Sequence, residues 1–283
     1  MKPIEEKWDI VIRPKKGWFE IDWLNLWKYR DLIFMFVKRD LAVTYKQTIL
    51  GPLWFLLQPL ISTATFTVIF GKIAKLPTDG VPPFLFYLAG MTAWGYFASC
   101  VTETSNTFNQ NAGIFSKVYF PRMTVPISVV ISNLARFGIQ FLLFLLVYGI
   151  VAYANPHVRP NANLFLIPLL ILQMGVLGLG VGMLVSSLVT KYRDLSLLLQ
   201  FGIQLWMYAC PIIYPTSQIP VEYRNLYMMN PMASIIENFK AAFLGTGTAG
   251  FDYLVTSWLS TIIVFALGLL MFNRVEKTFV DVV

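Results

Sequence analysis

From about residue 50 onward, long uncharged apolar runs alternate with short polar segments. A helix needs about 20 mostly apolar residues to cross a hydrocarbon layer ~30 Å thick. Six runs have that character: roughly Leu53 to Gly71, Pro83 to Val101, Val125 to Ala154, Leu164 to Val189, Leu195 to Tyr214 and Tyr253 to Phe272. The pattern predicts an all-α integral membrane protein with six transmembrane helices. Ahead of them, Pro3, Pro14 and Gly17 break any helix in residues 1–22. A helical period then runs from Trp23 to Lys46. Trp23, Leu26, Trp27, Ile33, Phe34, Val37, Leu41 and Tyr45 share one arc, interrupted by Arg30, and Lys28, Asp31, Lys38 and Arg39 lie opposite. This is an amphipathic helix, either lying in the membrane interface with Trp at headgroup level or packed on the protein's own cytoplasmic face. Between the fifth and sixth runs, Pro215 to Gly250 is too long for a turn and too polar to cross. It holds two short helical patterns, Val221 to Met229 and Met232 to Leu244, parted by Asn230-Pro231, a turn and helix-start signal. The expected division is a 1–48 N-terminal segment, a 49–273 membrane domain and a 274–283 tail.

Charge gives the orientation. With both termini inside, sixteen of the 22 Lys and Arg residues fall on the cytoplasmic side, and five fall outside: Lys72, Lys75, Arg159, Arg224 and Lys240. Cytoplasmic flanks carry the excess of Lys and Arg, so both termini are expected in the cytoplasm. The net charge of +7 is then a mark of these flanks and of attraction to anionic lipid, not of nucleic-acid binding. No early apolar stretch resembles a cleavable signal, so the first span is expected to act as the membrane signal.

Catalytic chemistry is sparse. The single His157 sits in a loop beside Pro156, and no His, Cys or Asp cluster has metal-ligand spacing. Cys100 and Cys210 each fall within an expected span, as small buried hydrophobes. Gly245-Thr-Gly-Thr-Ala-Gly250 has glycine spacing like a phosphate loop, but Phe251-Asp252 stands where Lys-Ser/Thr is needed. Arg136 is a charge inside the third span. It is expected to face a water-filled path or a partner, or to lie close enough to the interface to snorkel. Gly178 and Gly182 form a GxxxG pair, suited to close packing within the chain or between copies. Trp54, Phe55, Trp94, Tyr96, Phe97, Trp206, Tyr208 and Tyr214 are aromatics within spans. They are either packing core or platforms for sugar C–H groups, with Trp and Tyr adding a hydrogen-bond donor.

Several segments resemble, in order, those of the polysaccharide-exporting ABC permeases of type 2, the O-antigen, capsule and teichoic-acid exporters. Arg39-Asp-Leu-Ala-Val-Thr-Tyr-Lys-Gln-Thr-Ile-Leu-Gly-Pro-Leu-Trp54 is similar to the start of their first span. Asn111-Ala-Gly-Ile-Phe-Ser-Lys-Val-Tyr-Phe-Pro-Arg122 resembles their cytoplasmic segment between spans two and three. Tyr192-Arg-Asp-Leu195, Pro211-Ile-Ile-Tyr-Pro215 and Asn230-Pro-Met232 also fit. The resemblance spans about residues 20–280. It implies two external re-entrant helices between spans five and six, a homodimer of permeases and two copies of a separate nucleotide-binding subunit. That partner would hold ATP and Mg, leaving this chain without a cofactor. Phe115, Lys117, Tyr119, Phe120, Pro121 and Arg122, with Arg193 and Asp194, would couple to the ATPase. The substrate would be a lipid-linked polysaccharide, such as one carried on undecaprenyl pyrophosphate, crossing the inner membrane. Lys38, Arg39 and Lys46 lie at the depth where its pyrophosphate would be admitted. The aromatics above, with Arg136, would line the path.

Other readings are a type-2 exporter of a drug or small lipid and a membrane-embedded lipid-linked sugar transferase. The transferase needs acidic or His groups gathered at one interface, whereas Glu103, Asp194 and Glu237 are scattered. A secondary transporter needs paired carboxylates in its spans for ion coupling.

The charge asymmetry makes a direct prediction. A cysteine introduced at Ser217 or Thr78 labels from outside intact cells, and one at Ser116 labels only after permeabilisation; external labelling at 116 inverts the topology.

Overall fold

The computed structural model describes residues 23–46, 51–115, 117–192, 194–247 and 250–282, with the backbone alone at 23–25, 44–46, 52 and 277–282. Among the described residues every regular element is a helix. Two short helices, α1 (Trp23–Lys28) and α2 (Arg30–Lys46), precede the bundle. Among the described residues five helices are long and apolar enough to cross a membrane: Trp54–Ile73, Pro83–Ser105, Thr124–Ala154, Ala162–Val189 and Phe251–Glu276. Their α-helical parts are α3 (Trp54–Phe66), α4 (Pro83–Ser105), α6 (Thr124–Ala154), α7 (Ile167–Val189) and α11 (Phe251–Val282), and α5 (Thr107–Phe115) lies between α4 and α6. The fifth expected span differs. Instead of running to Tyr214, it stops as α8 (Leu195–Tyr208), 14 residues long, or about 21 Å at ~1.5 Å per residue. The chain turns at Ala209 and leads through α9 (Val221–Met228) to α10 (Pro231–Leu244).

Local chemistry accounts for these boundaries. Asn230 caps α10, its side chain accepting from the Met232 N–H at 3.2 Å, with Pro231 in the first turn. Gly245 ends that helix in the left-handed conformation, φ 69°, which glycine adopts without a Cβ penalty. The glycine-rich stretch thus begins as a helix cap. Pro59 lies inside α3 and removes one backbone hydrogen bond, and the span ends in a π-helical stretch, Thr67–Ile73.

The core is built around α7. It packs on α4 and α11 at glycines: a Cβ on Gly178 would lie 2.7 Å from the Cys100 Cβ, and one on Gly182 2.5 Å from the Thr104 Cβ. On the opposite side, a Cβ on Gly180 would lie 2.8 Å from the Phe265 Cα, and one on Gly268 would strike the Gly180 carbonyl. The GxxxG pair therefore serves packing within the chain. Both cysteines are buried and unpaired as thiols.

A second core gathers at the end of the bundle where α2 packs on α6 and the C-terminal part of α11 contributes Phe272, which we call the terminal end. Leu26, Phe36, Phe108, Phe115, Phe120, Met123 and Phe272 pack there. The amphipathic helix thus packs on the protein's own face, with only part of the expected arc turned inward. Leu26, Ile33 and Val37 are buried together with Phe36, whereas Trp27, Phe34 and Met35 point outward. They form an apolar strip suited to a lipid interface. At the opposite, distal end, Thr78 is buried and donates to the Val81 carbonyl, which leaves exposed Ser217 as the better labelling site.

These contacts predict that Gly268→Ala lowers stability by about 1–3 kcal/mol, the usual cost of overpacking. Gly138→Ala has nothing within 4 Å of the new methyl and should be neutral or slightly stabilising. Thermal unfolding in detergent checks this, and equal midpoints for the two variants would remove the packing argument.

Candidate functional site: a slot between α3 and α8

One cavity, of about 430 Å³, opens between α3, α4 and α8. Ile61, Ser62, Thr65 and Phe66 line it from α3, Met91 and Trp94 from α4, and Gln200, Ile203, Gln204, Met207 and Tyr208 from α8. Hydroxyls, two amides, an indole and a phenol thus face one another across an otherwise apolar bundle. Hydrogen-bonding groups set among apolar and aromatic walls are the general makeup of an organic-ligand site. The walls are unequal. The α4 wall is firm, with Trp94 5% exposed and its ring 5.3 Å from Phe97 and 6.3 Å from Trp206. The other two are loosely held: Pro59 and Thr63 are the buried residues of α3, and Met207 is the buried residue of α8.

The sequence-selected aromatics divide into groups. Trp94 and Tyr208 line the slot. Trp206 and Phe97 pack edge to face behind it, 5.1 Å apart, and the Trp206 indole donates to Asn230 Oδ1 at 3.0 Å. Tyr214 donates to the Tyr208 carbonyl at 2.8 Å, just beyond the end of α8. Tyr96 is turned away, packed 5.1 Å from Phe137 in the core. Trp54 is exposed at the start of α3, and Phe55 lies under the Arg136 guanidinium at 5.7 Å. Arg136 itself pairs with Glu103, and Asn133 donates to the other Glu103 oxygen at 3.0 Å. Glu103 stands in the last turn of α4, so the ion pair sits toward the terminal end, away from the middle of the bundle. Gln200 and Gln204 were not singled out from the sequence. Their signal was available: two amides four residues apart on one face of an apolar helix.

At the terminal end, Phe115 and Phe120 are buried, with ring centroids 5.6 Å apart and Phe36 5.8 Å from Phe120. Arg122 lies over Phe115 at 5.6 Å and donates to the Glu276 carbonyl. Burial pushes its guanidinium pKa down, opposed by the Glu276 carboxylate and by Tyr119. Pro121 is half-buried. Lys117, Val118 and Tyr119 stand out into solvent. Asp194 is exposed just before α8, and Arg193 lies outside the described residues. Lys38 is exposed, whereas Arg39 pairs with Asp40 at 2.9 Å and stacks 4.8 Å over Phe36. The Lys46 side chain lies outside the described residues. Among the described residues, no three His, Cys, Asp or Glu side chains gather as a metal site.

The sequence profile of the ABC-2 type transporter family matches residues 31–244, which takes in α2, the slot and α10. The chain belongs to that membrane-transport family. Among relatives of the ABC-2 group, an O-antigen export system permease protein RfbA of Klebsiella pneumoniae is 30% identical over 266 residues, covering 91% of this chain and 97% of its own. An RfbA of Myxococcus xanthus is 29% identical over 221 residues, 77% of this chain and 82% of its own. The polysialic acid transport protein KpsM of Escherichia coli is 21% identical over 246 residues, 84% and 91% of the two chains. An ABC-2 chain of this kind is a transport subunit, and its helices place it in a membrane.

Proposed function

We propose that this chain is the permease subunit of an ATP-driven exporter that carries a lipid-linked polysaccharide across the cytoplasmic membrane. It works as a homodimer with two ATPase subunits that hold ATP and Mg, and both termini lie in the cytoplasm. The observation that carries the reading is the slot. A polymer of sugars offers hydroxyls and C–H faces in every ring, and Gln200, Gln204, Ser62, Thr65, Trp94 and Tyr208 answer both. Slot walls that are loosely held within one copy suit a path completed by a second copy. An undecaprenyl-pyrophosphate anchor fits the same scheme. In it, α8 with the turn that follows makes the remaining crossing, fifth in chain order, and α9 and α10 re-enter from the outer face.

At the cytoplasmic end the coupling surface divides in two. Lys117, Val118 and Tyr119 are the contact groups, and Phe115, Phe120 and Arg122 form the buried base that carries their motion to α2 and α11. Lys38, on the exposed side of α2, is the cation best placed to meet a pyrophosphate at the interface. Arg136, neutralised by Glu103, braces α4, α6 and the start of α3.

Two outcomes follow. Alanine at Trp94, Tyr208 or Gln204 singly should lower polysaccharide export per folded dimer only several-fold, each ring or amide contact being worth about 1 kcal/mol. The triple variant should stop export, and full export by it would refute the slot as the path. Separately, Tyr119→Ala with Val118→Asp should reduce co-purification of the ATPase at unchanged permease yield. Phe115→Ala should instead lower the yield, because truncating a buried Phe costs about 3–5 kcal/mol. Undiminished ATPase capture by the Tyr119 and Val118 variant would move the docking surface elsewhere.

A further inference from the structure

Lys240 is in the middle of α10 and 3% exposed. An ammonium at such burial is costly unless its hydrogens are taken up and its charge is offset. It donates to the Pro211 carbonyl, lies 3.5 Å from the Ile212 carbonyl, and sits 3.3 Å from the centroid of the Phe86 ring. Glu237, one helical turn earlier and equally buried, accepts from the Thr216 hydroxyl. One face of α10 therefore grips both ends of Pro211 to Thr216.

The grip answers a physical need. Carbonyls released where the backbone turns deep in a bilayer must be satisfied from within the protein. Past the end of α8, Asn230 donates to the Ala209 carbonyl at 3.0 Å, the Ile212 N–H to the Cys210 carbonyl at 2.7 Å, and Lys240 serves those of Pro211 and Ile212. A cation there also suits the negative end of the α8 dipole.

The place of this turn gives it a consequence. Ile212 and the Lys240 stem rest on Gly90, where a Cβ would lie 3.2 and 3.3 Å from them. Gly90 is one helical turn from Trp94, on the distal side of the slot. Cys210, Ile212 and Ile213 are buried, so the turn is an apolar segment packed on the distal side of the slot and pinned by polar side chains.

We propose that Lys240 is a positioning residue for transport: it holds the 209–216 turn across the outer end of the path, sealing it between cycles. The proposal rests on reading the slot as that path. Opening requires two carbonyls to leave Lys240 and a hydroxyl to leave Glu237, so the closed arrangement restores itself once substrate has passed.

The test is leakage of potassium from loaded proteoliposomes containing the full-length chain with its ATPase partner and no nucleotide or polysaccharide. Wild type should leak no faster than protein-free liposomes, and Lys240→Met at least tenfold faster. Because that variant removes the cation beside buried Glu237 and can fail to fold, Lys240→Met with Glu237→Gln is measured beside it. The double variant keeps shape, removes both charges and should still leak. Met183→Ala, a core truncation near the other end of the bundle, controls for general destabilisation and should stay sealed. A folded double variant as tight as wild type would overturn the proposal, as would a wild type that leaks as fast as the variants or a Met183→Ala chain that leaks equally. The assay needs no sugar polymer. A leaking variant of a chain that exports no polysaccharide would keep the seal and reject only the substrate reading.

Discussion

The close approach of α7 to both α4 and α11 is the constraint on which the rest of this structure depends. Between helices in lipid there is no aqueous hydrophobic effect to exploit, so association comes from van der Waals contact and hydrogen bonds, and small residues permit both. Gly178 and Gly182 bring α4 close, while Gly180 and Gly268 bring α11 to backbone contact on the other side. Where α7 meets α11, Gln173 donates to Ser257 at 2.8 Å and to Thr261 at 3.3 Å, and Ser257 passes a hydrogen bond to the Pro231 carbonyl at 3.0 Å. The glycine contacts and this polar chain make α4, α7, α11 and the start of α10 one stiff post.

Polar side chains elsewhere in the bundle follow the same economy. Glu103, Asn133 and Arg136 satisfy one another between α4 and α6. Asn230 and Lys240 hold the turn that follows α8. Each of these groups has a local structural task, and each is enclosed by the helices it joins. The amides of Gln200 and Gln204 differ, since they are exposed on α8 and face the cavity. Exposed amides on an apolar helix are expensive to leave in hydrocarbon. Their presence points to water, a polar substrate or a second subunit on that side.

Much of this was legible in the amino-acid pattern, and the limits have physical causes. Five spans, the helix pair around Asn230-Pro231 and the end-to-end order of polar segments follow from hydropathy and turn chemistry. The length of α8 does not, because the apolar run continues through Ala209 to Tyr214 while the backbone turns, stabilised by side chains 20 to 30 residues later in the chain. The buried face of α2 was only partly legible because the helix has two apolar sides, one for the bundle and one left outside. Among the aromatics, composition cannot separate Trp94 from Tyr96. They are two residues apart on α4 and so point in different directions, one toward the slot and the other toward Phe137. The two glutamines were missed because attention went to rings and charges, although an i, i+4 amide pair is a clear departure from an apolar helix.

The distribution of packing also indicates which parts can move. Displacing a helix costs the contacts it holds, and the bundle interior is close-packed, so change falls on elements with least to lose. Here those are α3 and α8, the two outer walls of the slot. α3 carries an internal Pro59 and a terminal π-helical stretch, both departures from regular helix that allow bending. It is also tethered at the terminal end by Phe55 beneath Arg136. α8 is short, hinged at both ends by turns, and fixed at its distal end by Asn230. A shift begun among Lys117, Val118 and Tyr119 would reach α2, α6 and the tail of α11 through the phenylalanine cluster, and Arg136 on α6 would pass it to Phe55. On the proposed mechanism the stiff post would stay in place while the tethered wall tilts, and the slot would change width without the core being repacked.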